Sequence, residues 1–152
     1  MSMDIHPYTK ERIEDVVRFE QELRRQEDFY QWRIDEAYIR QVTASFDNAA
    51  FDAAVSFLAY ENGAVVGRID AAVVPTRFDG SSQAYLDWLC VLKSHRHRGV
   101  GRQLMQSLRT ELKRRGVAKM VGLIAANDEA QRFYRAVENA RIQDEGIWID
   151  II

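Results

Sequence analysis

Hydrophobic and polar positions change period several times along the chain, and each change marks an element. Ile13, Val16, Val17 and Leu23 recur at helical spacing between Glu11 and about Gln26, with Thr9 placed as the N-cap. Ile34, Tyr38, Val42 and Phe46 repeat every four and predict a second helix over Gln31 to Phe46. Asp4 to Tyr8, ahead of both, has the length of a short first strand. The pattern then turns extended. Ala53 to Tyr60 and Val65 to Val74 are apolar runs flanking Glu61-Asn62-Gly63, a hairpin signal. Pro75 and Phe78-Asp79-Gly80-Ser81-Ser82 make a turn, and Ala84 to Leu92 is a third, densely apolar strand with a central place in the sheet.

Two more helices follow. Val100, Leu104, Leu108 and Leu112 share one face of a helix that Gly116 is placed to end. After a strand over Lys119 to Ala125, Asn127 is positioned to cap a helix carrying Ala130 and Tyr134. Ile142 to Ile152 then predicts one or two closing strands around Asp144-Glu145-Gly146. The order is roughly β-α-α-β-β-β-α-β-α-β. That order reads as an α+β (α/β) fold, with a central mixed sheet and helices on both faces.

Composition narrows the class. The chain has 152 residues, 47% hydrophobic and 29% charged, which fits a single globular domain over 1–152. The net charge of −2 gives no reason to expect nucleic-acid or membrane-surface binding. Cys90 is the only cysteine, so no intrachain disulfide forms, and its apolar neighbours predict a buried thiol. The first residues lack the apolar core of a signal peptide, and no apolar stretch nears the ~20 residues that span a bilayer. A cytoplasmic protein is expected. His95 and His97 have no Cys or carboxylate at ligand spacing, so no metal is expected.

Candidate chemistry lies where the buried strand ends and the capped helix begins. Arg96-His97-Arg98-Gly99-Val100-Gly101 is a basic turn with two glycines at a helix start, where unpaired N–H groups and the macrodipole favour an anion. Arg96, Arg98 and Arg102 add charge around the same point. A phosphate-binding P-loop needs Lys-Ser/Thr where Arg102-Gln103 stands, and a dinucleotide fingerprint needs a third glycine. Both fail on residues, which calls for another phosphate-bearing ligand.

Arg96-x-x-Gly99-x-Gly101 resembles the Arg/Gln-x-x-Gly-x-Gly/Ala signature of the GNAT superfamily of acyl-CoA-dependent N-acetyltransferases. Asn127-x-x-Ala130-x-x-Phe133-Tyr134 is similar to that family's second block, one strand later, and the element order matches the GNAT fold. The resemblance implies an N-acetyltransferase that moves an acetyl group from acetyl-CoA to a primary amine of a small molecule or peptide. It implies that backbone amides of His97, Arg98, Gly99, Val100, Gly101 and Arg102 hold the coenzyme A pyrophosphate. Leu89, Cys90 and Val91 would pair with the pantetheine arm, one N–H there polarising the thioester carbonyl. Asn127, with Ala130 beside it, would face that arm, and Tyr134 would protonate the leaving thiolate. Asp87 stands where several members place a glutamate base, and its shorter side chain would work through water.

Bland alternatives stand beside these roles. Tyr134 is also a simple packed aromatic, Asp87 an ordinary strand carboxylate, and the basic loop a nucleic-acid contact or a solvated turn. Glu27, Asp28, Phe29, Tyr30 and Trp32 read equally as an acceptor lining or as a helix junction with an anchoring Trp. A non-catalytic acyl-CoA sensor of the same fold is the second functional reading. GNAT proteins are often homodimers, and Ile147-Trp148-Ile149-Asp150-Ile151-Ile152 suits an edge strand pairing with a partner as well as an internal one. The family's glycine after its tyrosine is missing here, and Asn139 is expected in the left-handed position instead.

Overall fold

The computed structural model describes residues 3–28 and 30–152. The chain divides into two compact units, Met1–Val121 and Gly122–Ile152. The first holds β1 (Met3–Pro7), α1 (Ile13–Gln26), α2 (Glu36–Ser45), β2 (Ala54–Glu61), β3 (Ala64–Pro75), β4 (Ser82–Val91) and α3 (Val100–Arg114). β5 (Met120–Gly122) runs over the boundary, and α4 (Asp128–Arg135) belongs to the second unit. The sheet order is β1-β2-β3-β4-β5, antiparallel through β4. β4 reaches its neighbour β5 through α3, the crossover that a mixed sheet requires.

Two consecutive residues of β3 show the layering. A Cβ on Gly67 would meet Val100 and Leu104 of α3, whereas Arg68 is ion-paired to Glu20 of α1. Side chains alternate across a strand, so α1 and α3 cover opposite faces of the sheet. Val16, Phe19 and Leu23 of α1, Leu58 and Ile69 of the sheet, and Leu104 and Leu108 of α3 are fully buried. Each such side chain contributes ~1.5–3 kcal/mol of burial.

Local signals set most boundaries. Asn62 (φ 53°) and Gly63 (φ 79°) are both left-handed, as a two-residue hairpin between β2 and β3 requires. Gly116 (φ 77°) ends α3, and Asn139 (φ 58°) takes the left-handed position expected of it.

Four expectations need correction. Thr9 stands at the helix start without a capping bond to the backbone, because a 3-10 turn (Lys10–Arg12) precedes α1. The second helix begins at Glu36, because the Asp35 carboxylate accepts the Tyr38 N–H at 3.0 Å and caps it there. β5 covers only Met120–Gly122 of the expected Lys119 to Ala125. No strand forms over Ile142 to Ile152, and Ile147, Trp148, Ile149, Ile151 and Ile152 are exposed. Apolar alternation makes a strand only where a neighbour's N–H and C=O groups complete a ladder, and the pattern of one segment carries no information about that neighbour.

Candidate active site

The strand-to-helix passage after β4 is built by two left-handed residues. A 3-10 turn (Lys93–His95) follows β4, Arg96 is extended, and His97 (φ 62°) and Gly99 (φ 85°) are both left-handed around Arg98. Left-handed residues in a tight turn can bring successive backbone N–H groups to one side, as in an anion nest. The first backbone bond of α3 runs from Gln103 N–H to Gly99 C=O at 3.1 Å, so Val100, Gly101 and Arg102 precede any intrahelical acceptor. Their N–H groups are left without intrahelical partners at the positive end of a 15-residue helix. A Cβ on Gly99 would meet nothing within 4 Å, so its open side admits close approach.

The side chains of this loop do less for an anion than their charge suggests. Glu27 takes the Arg96 guanidinium at two points, 2.8 and 2.7 Å. Arg98 lies 3.2 Å from Glu61, and His95 lies 3.8 Å from the same carboxylate. Arg102 is exposed on the first turn of α3. The charge of the expected basic cluster is therefore largely offset by its neighbours, which leaves the backbone N–H groups at the helix start as the groups suited to an anion.

β4 delivers the remaining residues of this unit. Asp70 pairs with Trp88 and Ala71 with Leu86, so Asp87 is the extra residue of a β-bulge, and it is exposed. Bulges re-aim side chains, and they are common beside active sites. Leu89 opposes Ile69 and Val91 opposes Gly67, while Cys90, opposite Arg68, faces α1. Burial pushes the Cys90 thiol up to about 11, and its sulfur lies 3.2 Å from the Tyr30 hydroxyl.

The connection between α1 and α2 lies against the same strand. The rings of Tyr30, Trp32 and Trp88 meet edge to face, with centroids 5.2 to 5.9 Å apart. The Arg24 guanidinium sits 4.7 Å over Trp32, and its Nε donates to the Trp32 carbonyl at 3.0 Å. Beneath it, Glu20 is buried between Arg24 (2.6 Å) and Arg68 (2.9 Å), and Arg68 also grips Asp70. The cation seat over these rings is thus filled by Arg24, and Glu27 is committed to Arg96, which makes this segment an anchored junction. Asp28 is exposed, and Phe29 lies outside the described residues. Sequence reasoning missed the buried network and Trp88. Its available signal was Glu20 at the fourth position after Val16 on the apolar face of α1, with Arg68 and Asp70 alternating inside an apolar strand.

In the second unit, Asn127 caps α4, its Oδ1 accepting the Ala130 N–H at 2.8 Å. Tyr134, near the helix end, is half-buried, with its ring 5.1 Å from that of Phe133. Burial raises its hydroxyl above the ordinary tyrosine value, so it is protonated at neutral pH. Leu89 to Arg102 are thus brought together in the first unit, and Asn127, Ala130 and Tyr134 in the second. Among the described residues, no three His, Cys, Asp or Glu side chains group as a metal site, and no helix is long and apolar enough to cross a membrane.

The acetyltransferase (GNAT) family model matches residues 12–137. No curated protein matches the sequence. Among solved structures, the aminoglycoside acetyltransferase meta-AAC0020 from an uncultured soil metagenomic sample, in complex with sisomicin, is 14% identical with a TM-score of 0.83. The alignment covers 99% of this chain and 97% of that one. AAC(6′)-Iy in complex with a bisubstrate analogue, CoA-S-monomethyl-acetylneamine, is 20% identical over 100% of both chains, with a TM-score of 0.77. A ribosomal-protein-alanine N-acetyltransferase from Brucella melitensis biovar Abortus 2308 is 16% identical over 100% of both, with a TM-score of 0.74. At these identities the likeness is one of fold.

Proposed function

The chain belongs to the acetyltransferase (GNAT) family, and on that premise we propose that it is an N-acetyltransferase using acetyl-CoA as acyl donor. The family match runs through both compact units, which supports reading 1–152 as one acyltransferase domain. The observation that carries the proposal is the left-handed pair His97 and Gly99 opening onto the start of α3. It suits a doubly charged pyrophosphate bound by backbone N–H groups, and it fits coenzyme A without a metal or an added basic side chain.

Each residue then has a defined task. Amides from His97 to Arg102 hold the pyrophosphate, and the β4 end at Leu89 to Val91 lies along the pantetheine arm, with one N–H directed at the carbonyl oxygen. The donor supplies a thioester, which an amine attacks directly. Asp87, carried outward by the bulge, removes the amine proton through a water. Asn127 and Ala130 line the arm, and Tyr134, protonated at neutral pH, gives its proton to the departing sulfur. Cys90 takes no covalent part, since its raised thiol is neutral at working pH.

The acceptor is a primary amine of a small molecule or peptide. The aminoglycoside acetyltransferases of the same fold make aminoglycosides the first amines to test, with polyamines and peptide N-termini beside them. Isothermal titration with coenzyme A and acetyl-CoA tests binding, and absence of binding at millimolar concentration refutes the proposal. Thiol release across the amine panel tests transfer, because a sensor of the same fold binds acetyl-CoA without turnover.

A further inference from the structure

We propose that Glu27 is a positioning residue for the ligand loop: from the C-terminal end of α1 it grips Arg96 and holds residues 96–99 in their anion-receiving form. The inference rests on the coenzyme A reading above. Glu27 Oε1 accepts from Arg96 Nη1 at 2.8 Å, and Oε2 accepts from Nη2 at 2.7 Å. The two side chains are only 9% and 22% exposed, so the pair is shielded from water, and two-point pairing fixes the plane of the guanidinium. Arg96 Nε also donates to the Val91 carbonyl at 3.3 Å, tying the fork to the end of β4.

A second tie lies one residue away. The Ser94 N–H donates to Gln26 Oε1 at 3.0 Å, and Gln26 Nε2 donates to Ser94 Oγ at 3.0 Å. Residues 26 and 27 thus hold residues 94 and 96 at four points. Directly after these ties comes His97 at φ 62°, a conformation that costs a residue with a Cβ free energy and is kept more firmly where its surroundings hold it. The ties supply that constraint. Arg96 therefore serves as an anchor for the nest, its fork turned to Glu27, and the pyrophosphate is left to the backbone.

Coenzyme A is titrated calorimetrically into wild type, Glu27→Gln, Arg96→Gln, the double variant and Gln26→Ala, with thermal unfolding and amide hydrogen exchange alongside. A wild type that does not bind coenzyme A removes the binding reading and this inference with it. With wild type binding, Glu27→Gln is expected to weaken affinity about tenfold, a usual size for coupled neighbours. Arg96→Gln is expected to act alike, and the double variant no more than either alone, since all three remove one tie. Gln26→Ala, which leaves the ion pair intact, is expected to weaken binding in the same direction. Exchange at 97–99 should rise in ligand-free Glu27→Gln while that of the sheet does not. Wild-type affinity in Glu27→Gln beside loss in Arg96→Gln would make Arg96 a direct ligand and overturn the proposal. A lowered Tm with unchanged affinity and unchanged exchange would overturn it as well.

Discussion

The Tyr30 hydroxyl and the Cys90 sulfur lie 3.2 Å apart, joining the α1–α2 connection to the end of β4. Burial is the first cause that raises both groups, so at neutral pH the pair is a phenol and a thiol, not their anions. The thiolate is the form that attacks thiol reagents, and Cys90 is only 5% exposed. The folded protein at pH 8 is expected to react with an aromatic disulfide reagent far more slowly than the urea-unfolded chain. Equal rates would contradict the buried pairing.

The same pair predicts how stability depends on pH. The Cys90 thiol rises from 9.0 to about 11 on folding. Below pH 9 the thiol is protonated in both states and its contribution is intact. Between pH 9 and 11 the unfolded chain releases the proton first, so the free energy of unfolding falls as pH rises. The buried hydroxyls of Tyr8, Tyr30 and Tyr38, also raised, extend the decline above pH 10. Denaturant midpoints from pH 8 to 11 measure it, and Cys90→Ala should flatten the first part of the curve.

Glu20 carries the buried network under that connection. It is 3% exposed, with one oxygen on Arg24 and the other on Arg68. Glu20→Ala leaves two shielded guanidinium groups short of a partner and is expected to cost about 3–5 kcal/mol. Urea denaturation reads this directly. A cost below about 1 kcal/mol would mean that water replaces the carboxylate.

Gly67 and Gly99 respond to alanine for different reasons. At Gly67 the new Cβ would lie 2.9 Å from Val100 Cγ1 and 3.2 Å from both Leu104 Cδ1 and the Cys90 carbonyl oxygen, so these groups must shift, at about 1–3 kcal/mol. At Gly99 there is room, but φ is 85°, and the left-handed backbone costs ~1–2 kcal/mol. Both substitutions should weaken coenzyme A binding, because Val100 opens α3 and Gly99 belongs to the nest. Gly80→Ala (φ 74°, open surroundings) is the control, expected to lose stability without losing affinity.

Tyr134→Phe separates transfer from binding. Loss of a proton donor is expected to lower kcat about 10²-fold or more while leaving coenzyme A affinity within about twofold. Because burial raises the Tyr134 hydroxyl, the wild-type kcat should show no loss from its ionisation until alkaline pH. Steady-state thiol release with direct titration checks both halves. An unchanged kcat removes Tyr134 from the chemistry.

What the amino-acid order determines alone is what depends on residues within a turn of one another. Helical and extended periods, with the Asn127 cap, placed the elements from α1 to α4, and Asn62-Gly63, Gly116 and Asn139 specified their turns because the ease of left-handed backbone depends first on the single residue. The start of α3 at Gly99 and the Asn127 cap are local in the same sense. The tertiary structure decided what the charges beside Gly99 do. Glu27 and Arg96 are 69 positions apart, and Glu61 and Arg98 are 37 apart, so no period links them, yet these pairs offset much of the charge of the loop after β4. It also decided where strands stop. Apolar alternation over Ile142 to Ile152 is real, but a ladder needs a neighbour, and only the folded chain says whether one is there.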